Sequence, residues 1–81
     1  MELEEITRGH LRVKVGSKSV TIYGEAFLRG YGSPDFLLYQ NSIGKWDAPN
    51  DQENLSSIDK EHLIQFLKEE FSHRKMRLEI E

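Results

Sequence analysis

The pattern that most constrains the fold is an alternation of apolar and polar side chains on both sides of a short glycine turn. Leu11, Val13 and Val15 alternate with polar residues before the turn, and Val20 and Ile22 do so after it. A period of two is typical of strands that bury one face. The segment is therefore predicted to form two half-buried strands.

The turn between these strands sets their register. Glycine at the first position of a two-residue loop, as in Gly16-Ser17, is what a type II′ turn requires. Val13 then lies opposite Val20 on the apolar face, and Arg12 lies opposite Thr21 on the polar face. The turn chemistry and the alternation predict the same hairpin.

A first strand is predicted upstream of this hairpin. Leu3 and Ile6 are three residues apart, which breaks the alternation and predicts a bulge near Glu4, with Glu5 across from Arg12. Downstream, residues 25–35 are predicted to form a long loop or a short irregular strand. Residues 36–39 and 43–46 are expected to form a second hairpin, and residues 48–55 a surface loop.

The C-terminal third is predicted to be a helix followed by a strand. Ser56 and Asp59 have the spacing of a capping box, and the apolar residues from Ile58 to about His73 recur at helical intervals. Residues 76–80 alternate again. The predicted class is α+β, with the order β-β-β-β-β-α-β. About five or six strands form a twisted, mainly antiparallel sheet, and one amphipathic helix packs on one face.

Eight apolar residues are expected to form the shared core of this fold. Four come from the hairpin, three from the helix and one from the last strand. They are Leu11, Val13, Val20, Ile22, Leu63, Leu67, Phe71 and Leu78.

Length and composition limit the class of protein. The 81 residues suit one domain, residues 1–81, with a single core. The chain has no cysteine, its N-terminus is acidic, and no stretch approaches the roughly 20 apolar residues that span a bilayer. These features predict a cytoplasmic protein without membrane contact.

No catalytic or metal-binding constellation is recognisable in the sequence. His62 and His73 would lie about 16 Å apart along the helix, too far to flank one phosphate. The chain also lacks the paired histidines or cysteines of a metal site. We therefore expect no cofactor, no metal and no hydrolytic activity.

Two charged regions suggest different partners. Arg12, Lys14 and Lys18, with Tyr23, could bind a single-stranded nucleic acid, although the net charge of −3 opposes this. In contrast, residues 47–61, here called the acidic segment, hold five acids and one base. This segment favours a basic protein partner.

Several short motifs resemble a known family. They are Glu5-Ile6-Thr7-Arg8-Gly9, Val20-Thr21-Ile22-Tyr23-Gly24-Glu25 and Tyr39-Gln40-Asn41-Ser42-Ile43-Gly44-Lys45-Trp46-Asp47-Ala48-Pro49, followed by the helix and Leu78-Glu79-Ile80-Glu81. Together they resemble immunity protein 74, a family of bacterial antidotes encoded beside polymorphic or contact-dependent toxins. Asp47 stands where a glutamate is expected.

The resemblance implies a non-enzymatic cytoplasmic protein that binds and neutralises a cognate toxin domain. A toxin acting in the cytoplasm is typically a nuclease, whose basic surface an acidic segment would complement. Trp46 could belong to the core or anchor the partner. The expected toxin contacts are Tyr31, Trp46, Asp47, Asp51, Glu53, Asp59 and Glu61.

Overall fold

The computed structural model describes residues 1–28 and 32–81. In these ranges, five strands form one sheet in the order β1-β2-β3-β4-β5, and one α-helix lies between the last two strands in the chain. The elements are β1 (Glu2–Ile6), β2 (His10–Val15), β3 (Lys18–Ala26), β4 (Phe36–Leu38), a 3-10 turn (Gln40–Ser42), α1 (Ser57–His73) and β5 (Leu78–Ile80).

The first three strands form the predicted antiparallel meander. Val13 pairs with Val20 and Arg12 with Thr21, as the turn chemistry requires. Gly16 has a φ of 65°, whereas Ser17 has a negative φ, which is the type II′ arrangement. The register between β1 and β2 shifts between Leu3 and Glu5, so the predicted bulge is confirmed.

The second predicted hairpin is only partly correct. β3 continues to Ala26, into the stretch expected to be irregular, and pairs there with β4 in an antiparallel manner. After β4, the 3-10 turn leads the chain away, and the segment 43–46 forms an isolated bridge between Lys45 and Asn54 instead of a strand of the sheet. Short apolar runs specify burial more firmly than they specify strand pairing, which explains the error.

At Gly24, β3 and β4 lie close together. A Cβ atom at this position would collide with the Leu37 carbonyl oxygen and the Phe36 ring. Only glycine lets the two strands pair at this distance.

The helix has the predicted boundaries and the predicted N-terminal cap. The Ser56 hydroxyl accepts a hydrogen bond from the Asp59 N–H at 3.0 Å, and the Asp59 carboxylate accepts one from the Ser56 N–H at 3.2 Å. This is the reciprocal capping box expected from the spacing. The chain after α1 returns to β5, which pairs with β4 in the parallel direction, so the sheet is mixed.

A lysine ends the helix in a left-handed conformation. Lys75 has a φ of 57°, the Met76 N–H donates to the Phe71 carbonyl at 2.8 Å, and the Lys75 N–H donates to the Ser72 carbonyl at 3.0 Å. This pair of bonds is a Schellman motif, in which glycine is the usual residue at the left-handed position.

The core lies between α1 and one face of the sheet. Seven of the eight predicted core residues are buried, and Leu78 is partly buried at the margin. Prediction from the sequence omitted several buried residues: Phe36, Leu38, Ile43 and Leu55. The Phe36 and Phe71 rings, 6.4 Å apart, join β4 to the helix.

Candidate partner-binding surface

The sheet face opposite α1, here called the outer face, has no helix over it in the described parts of the chain. The alternation in β2 and β3 places Arg12, Thr21, Tyr23 and Glu25 on this face, because their neighbours in sequence point into the core. The Tyr23 side chain is 56% exposed. The outer face is therefore open to a partner.

A chain of polar contacts crosses the outer face from β1 to β2. His10 Nε2 lies 3.0 Å from Glu5 Oε2, and Arg12 Nη1 lies 3.9 Å from the same oxygen. The hydrogen bond from His10, followed by the positive charge of Arg12, lowers the pKa of Glu5 below its usual 4.5. The carboxylate thus stays charged at neutral pH.

Asp47 extends this chain and completes the edge of β3. Its carboxylate accepts hydrogen bonds from the Thr21 N–H at 3.2 Å and the Thr21 hydroxyl at 2.9 Å, and its N–H donates to the Ser19 carbonyl at 2.8 Å. Arg12 Nε lies 3.9 Å from the carboxylate. Asp47 thus takes the place of a neighbouring strand where β4 is too short to pair.

A shallow polar depression lies beside Asp47. It has a volume of about 600 Å³ and is lined by Glu4, Arg12, Ser19, Thr21, Asp47 and Ala48. Its open shape and charged rim suit the side chains of a protein partner better than a small apolar ligand.

Three acids of the acidic segment are engaged within the fold. Asp47 binds β3, Asp59 caps the helix, and Glu53 forms an ion pair with Lys18 at 2.9 Å. Asp51 and Glu61 are exposed and have no hydrogen bond or ion pair from their side chains to other described residues. The segment therefore offers fewer unpaired charges than its sequence suggests.

Trp46 and Tyr31 are the two aromatic residues predicted to anchor a partner. Trp46 is 7% exposed and belongs to the core, which is the first of the two roles considered for it. The Lys18 ammonium lies over its ring, 5.3 Å from the centroid. Tyr31 lies outside the described residues.

The cations of the first hairpin do not form one basic surface. Arg12 lies between Glu5 and Asp47 on the outer face. Lys18 projects to the other side of the hairpin, toward Trp46, and is paired with Glu53. Lys14 is exposed on the outer face and has no ion pair with a described residue, so it is the one unpaired cation of these three. A single unpaired cation attracts phosphates weakly, so this geometry disfavours the nucleic-acid alternative.

Two tyrosines and two glutamates meet at the other end of the outer face. We call Tyr23, Glu25, Tyr39 and Glu81 the tyrosine patch. All four side chains are exposed, and the Tyr39 hydroxyl donates to Glu25 Oε2 at 3.3 Å. Partial burial of Tyr39, followed by the negative charges of Glu25 and Glu81, raises its pKa above 10.0.

Sequence reasoning missed the tyrosine patch. The sequence predictions group Tyr23 with the basic residues of the hairpin and place Tyr39 at the end of a strand. The pattern Tyr23-Gly24-Glu25 does place a tyrosine and a glutamate on one face. Their meeting with Tyr39 and Glu81 depends on the 3-10 turn and the parallel pairing of β5, neither of which the pattern specifies.

His10 lies on the outer face, and its contacts with Thr7 are those of a turn, not those of a catalytic pair. The Thr7 hydroxyl lies 3.1 Å from His10 Nδ1 and also accepts hydrogen bonds from the N–H groups of Gly9 and His10. A hydroxyl that closes a turn in this way is not poised as a nucleophile. In the described ranges, no group of three or more acidic or histidine side chains could hold a metal ion.

No helix formed by residues 1–28 or 32–81 has both the length and the apolar character needed to cross a membrane.

The sequence matches a known protein family. A family model described as immunity protein 74 matches residues 4–81, nearly the whole chain. No curated protein and no solved structure matches the chain.

Proposed function

Because the chain belongs to the immunity protein 74 family, we propose that it binds a cognate bacterial toxin domain and blocks it without catalysing a reaction. We further propose that the toxin is a nuclease that acts in the cytoplasm. A nuclease needs a basic surface to hold its substrate, and an acidic antidote complements that surface.

The charge of the acidic segment is the observation that supports this partner. Asp51 and Glu61 are exposed and have no ion pair in the described chain, so their charges remain available. Asp47, Glu53 and Asp59 stabilise the fold. Arg12 and Lys18 partly offset the charges of Asp47 and Glu53. Unpaired charges around a contact mainly accelerate association and determine which partner is accepted.

Charge reversal of the two unpaired acids tests the proposal. We expect the double variant Asp51→Lys and Glu61→Lys to keep its fold, because neither side chain has a described partner. Its association with the toxin domain encoded beside the gene should slow about tenfold at low salt. Protection of cells that express the toxin should fall in parallel.

A matched variant separates the position of the charges from their number. Glu2→Lys combined with Glu69→Lys changes the net charge equally on other surfaces and should associate much faster than the first variant. If the Asp51 and Glu61 double variant binds and protects as well as the parent at low salt, the acidic segment is not the contact. If the unaltered chain does not bind the toxin, the proposed function is wrong.

A further inference from the structure

We infer that the tyrosine patch is a second contact surface, which receives an arginine- or lysine-bearing segment of the toxin. The inference rests on the proposed function, because the occupant is the basic toxin domain. It extends the interface beyond the acidic segment, to the end of the outer face that is farther from Asp47.

The tyrosines of the patch are held by backbone hydrogen bonds. The Tyr39 N–H donates to the Tyr23 carbonyl at 3.0 Å. The Ser42 hydroxyl accepts from the Tyr23 N–H at 2.9 Å and donates to the Tyr39 carbonyl at 2.6 Å. Both residues are therefore fixed at the base while their rings remain exposed. A tyrosine side chain has few rotatable bonds, so a ring on such a fixed backbone loses little entropy on binding.

The carboxylates of the patch lack a cationic partner. Glu25 accepts a hydrogen bond from the neutral Tyr39 hydroxyl, and neither Glu25 nor Glu81 forms an ion pair with a described lysine or arginine. The patch is thus a local negative surface with two aromatic rings. The carboxylates of the patch differ in this respect from that of Glu5, whose charge is balanced by His10 and Arg12.

Aromatic rings beside free carboxylates match the chemistry of a basic side chain. A guanidinium can bind a carboxylate through two hydrogen bonds while it stacks on a tyrosine ring. Tyrosine and arginine are also the residues that contribute most often to binding hot spots. Among basic groups, arginine therefore fits the patch best.

The patch is continuous with the rest of the outer face. Thr21, which binds Asp47, is two residues before Tyr23 on the same side of β3, a distance of about 7 Å. A single partner can therefore cover the polar depression and the tyrosine patch together.

A peptide titration tests the chemistry of the patch without the toxin. Hexa-arginine is added to the ¹⁵N-labelled chain, and amide chemical shifts are followed by NMR. We expect the largest changes at Tyr23, Glu25, Tyr39 and Glu81, and smaller ones with the double variant Tyr23→Ala and Glu25→Gln. Changes confined to residues 47–61 would overturn the inference.

Binding of the adjacent toxin domain tests the patch as part of the interface. The Tyr23→Ala and Glu25→Gln double variant should raise the Kd about tenfold or more. Tyr23→Phe, which keeps the ring, and Glu69→Gln, which makes the same change to an exposed helical glutamate, should have little effect. The amide spectrum of each variant, compared with that of the parent, is the check that the variant is folded.

The outcomes separate this inference from the proposed function. If the unaltered chain binds the toxin and the double variant binds with a Kd within about twofold, the toxin does not use the patch and the inference is wrong. If the unaltered chain does not bind the toxin, the proposed function fails. The peptide titration then decides alone whether the patch binds basic side chains.

Discussion

Replacing Asp47 by alanine tests how much this side chain stabilises the fold, apart from any role in binding a partner. The carboxylate receives two hydrogen bonds from Thr21, so alanine would leave the N–H of that residue without a protein acceptor at the edge of β3. Arg12 would also lose one of its two neighbouring carboxylates. We therefore expect the variant to lose stability before any effect of a partner is considered.

The size of this loss follows from the geometry. A hydrogen bond to a charged acceptor contributes about 1.5 to 3 kcal/mol. The Asp47 side chain is 30% exposed, so water can replace part of the lost interaction. We expect a loss of about 2 kcal/mol, which corresponds to a decrease in Tm of about 8 to 16 °C in a domain of this size.

Thermal and urea unfolding, followed by circular dichroism, measure this loss. Asp47→Asn keeps an acceptor oxygen for Thr21 and should lose about half as much stability. Asp51→Ala removes the same charge from a residue with no described side-chain partner and should change the free energy of unfolding by less than about 0.5 kcal/mol. The reasoning is refuted if Asp47→Ala and Asp51→Ala unfold at the same temperature.

Three further variants test the core, the helix terminus and the outer face. Leu67→Ala removes a fully buried side chain and should destabilise the chain by about 2 to 5 kcal/mol in urea unfolding, and a loss below about 0.5 kcal/mol would contradict the assigned helix face. Lys75→Gly keeps the left-handed conformation but removes the strain that a side chain causes there, and it should raise the free energy of unfolding by about 0.5 to 1 kcal/mol. An unchanged or lower Tm would contradict the Schellman motif. Glu5→Gln should lower the Tm at pH 7 but not at low pH. The pKa of Glu5 is lower in the folded chain than its usual 4.5, so the stability that its charge contributes is complete above pH 4.5 and is lost as the pH falls through the folded pKa. If Glu5→Gln lowers the Tm equally at pH 7 and pH 3, the pairing with His10 is contradicted.

Local chemistry made much of the fold predictable. The Gly16-Ser17 turn, the bulge before Glu5 and the Ser56 cap each depend on residues close together in sequence, and each is confirmed. The segment 43–46 was misassigned because its burial comes from contacts with distant parts of the chain. The parallel pairing of β4 with β5 joins residues about 40 positions apart, such as Phe36 and Leu78, and no local pattern specifies it.

Charge was less predictable than structure. The sequence counts five acids in the acidic segment, but the hydrogen bonds of Asp47, Asp59 and Glu53 appear only once β3, α1 and the first hairpin are assembled. Conversely, the sequence groups the hairpin cations on one strand pair, whereas the structure pairs Arg12 and Lys18 with acids on opposite sides. A count of charges therefore overestimates the field that a partner meets.

The composition of β1 has a consequence for encounters between identical molecules. β1 is an edge of the sheet, and three of its five residues are glutamates: Glu2, Glu4 and Glu5. Antiparallel addition of a second copy would bring glutamate against glutamate, whereas a strand rich in lysine or arginine would meet opposite charge. The same edge thus discourages self-association and tolerates a basic neighbour. Since both effects are electrostatic, they weaken together as ionic strength rises.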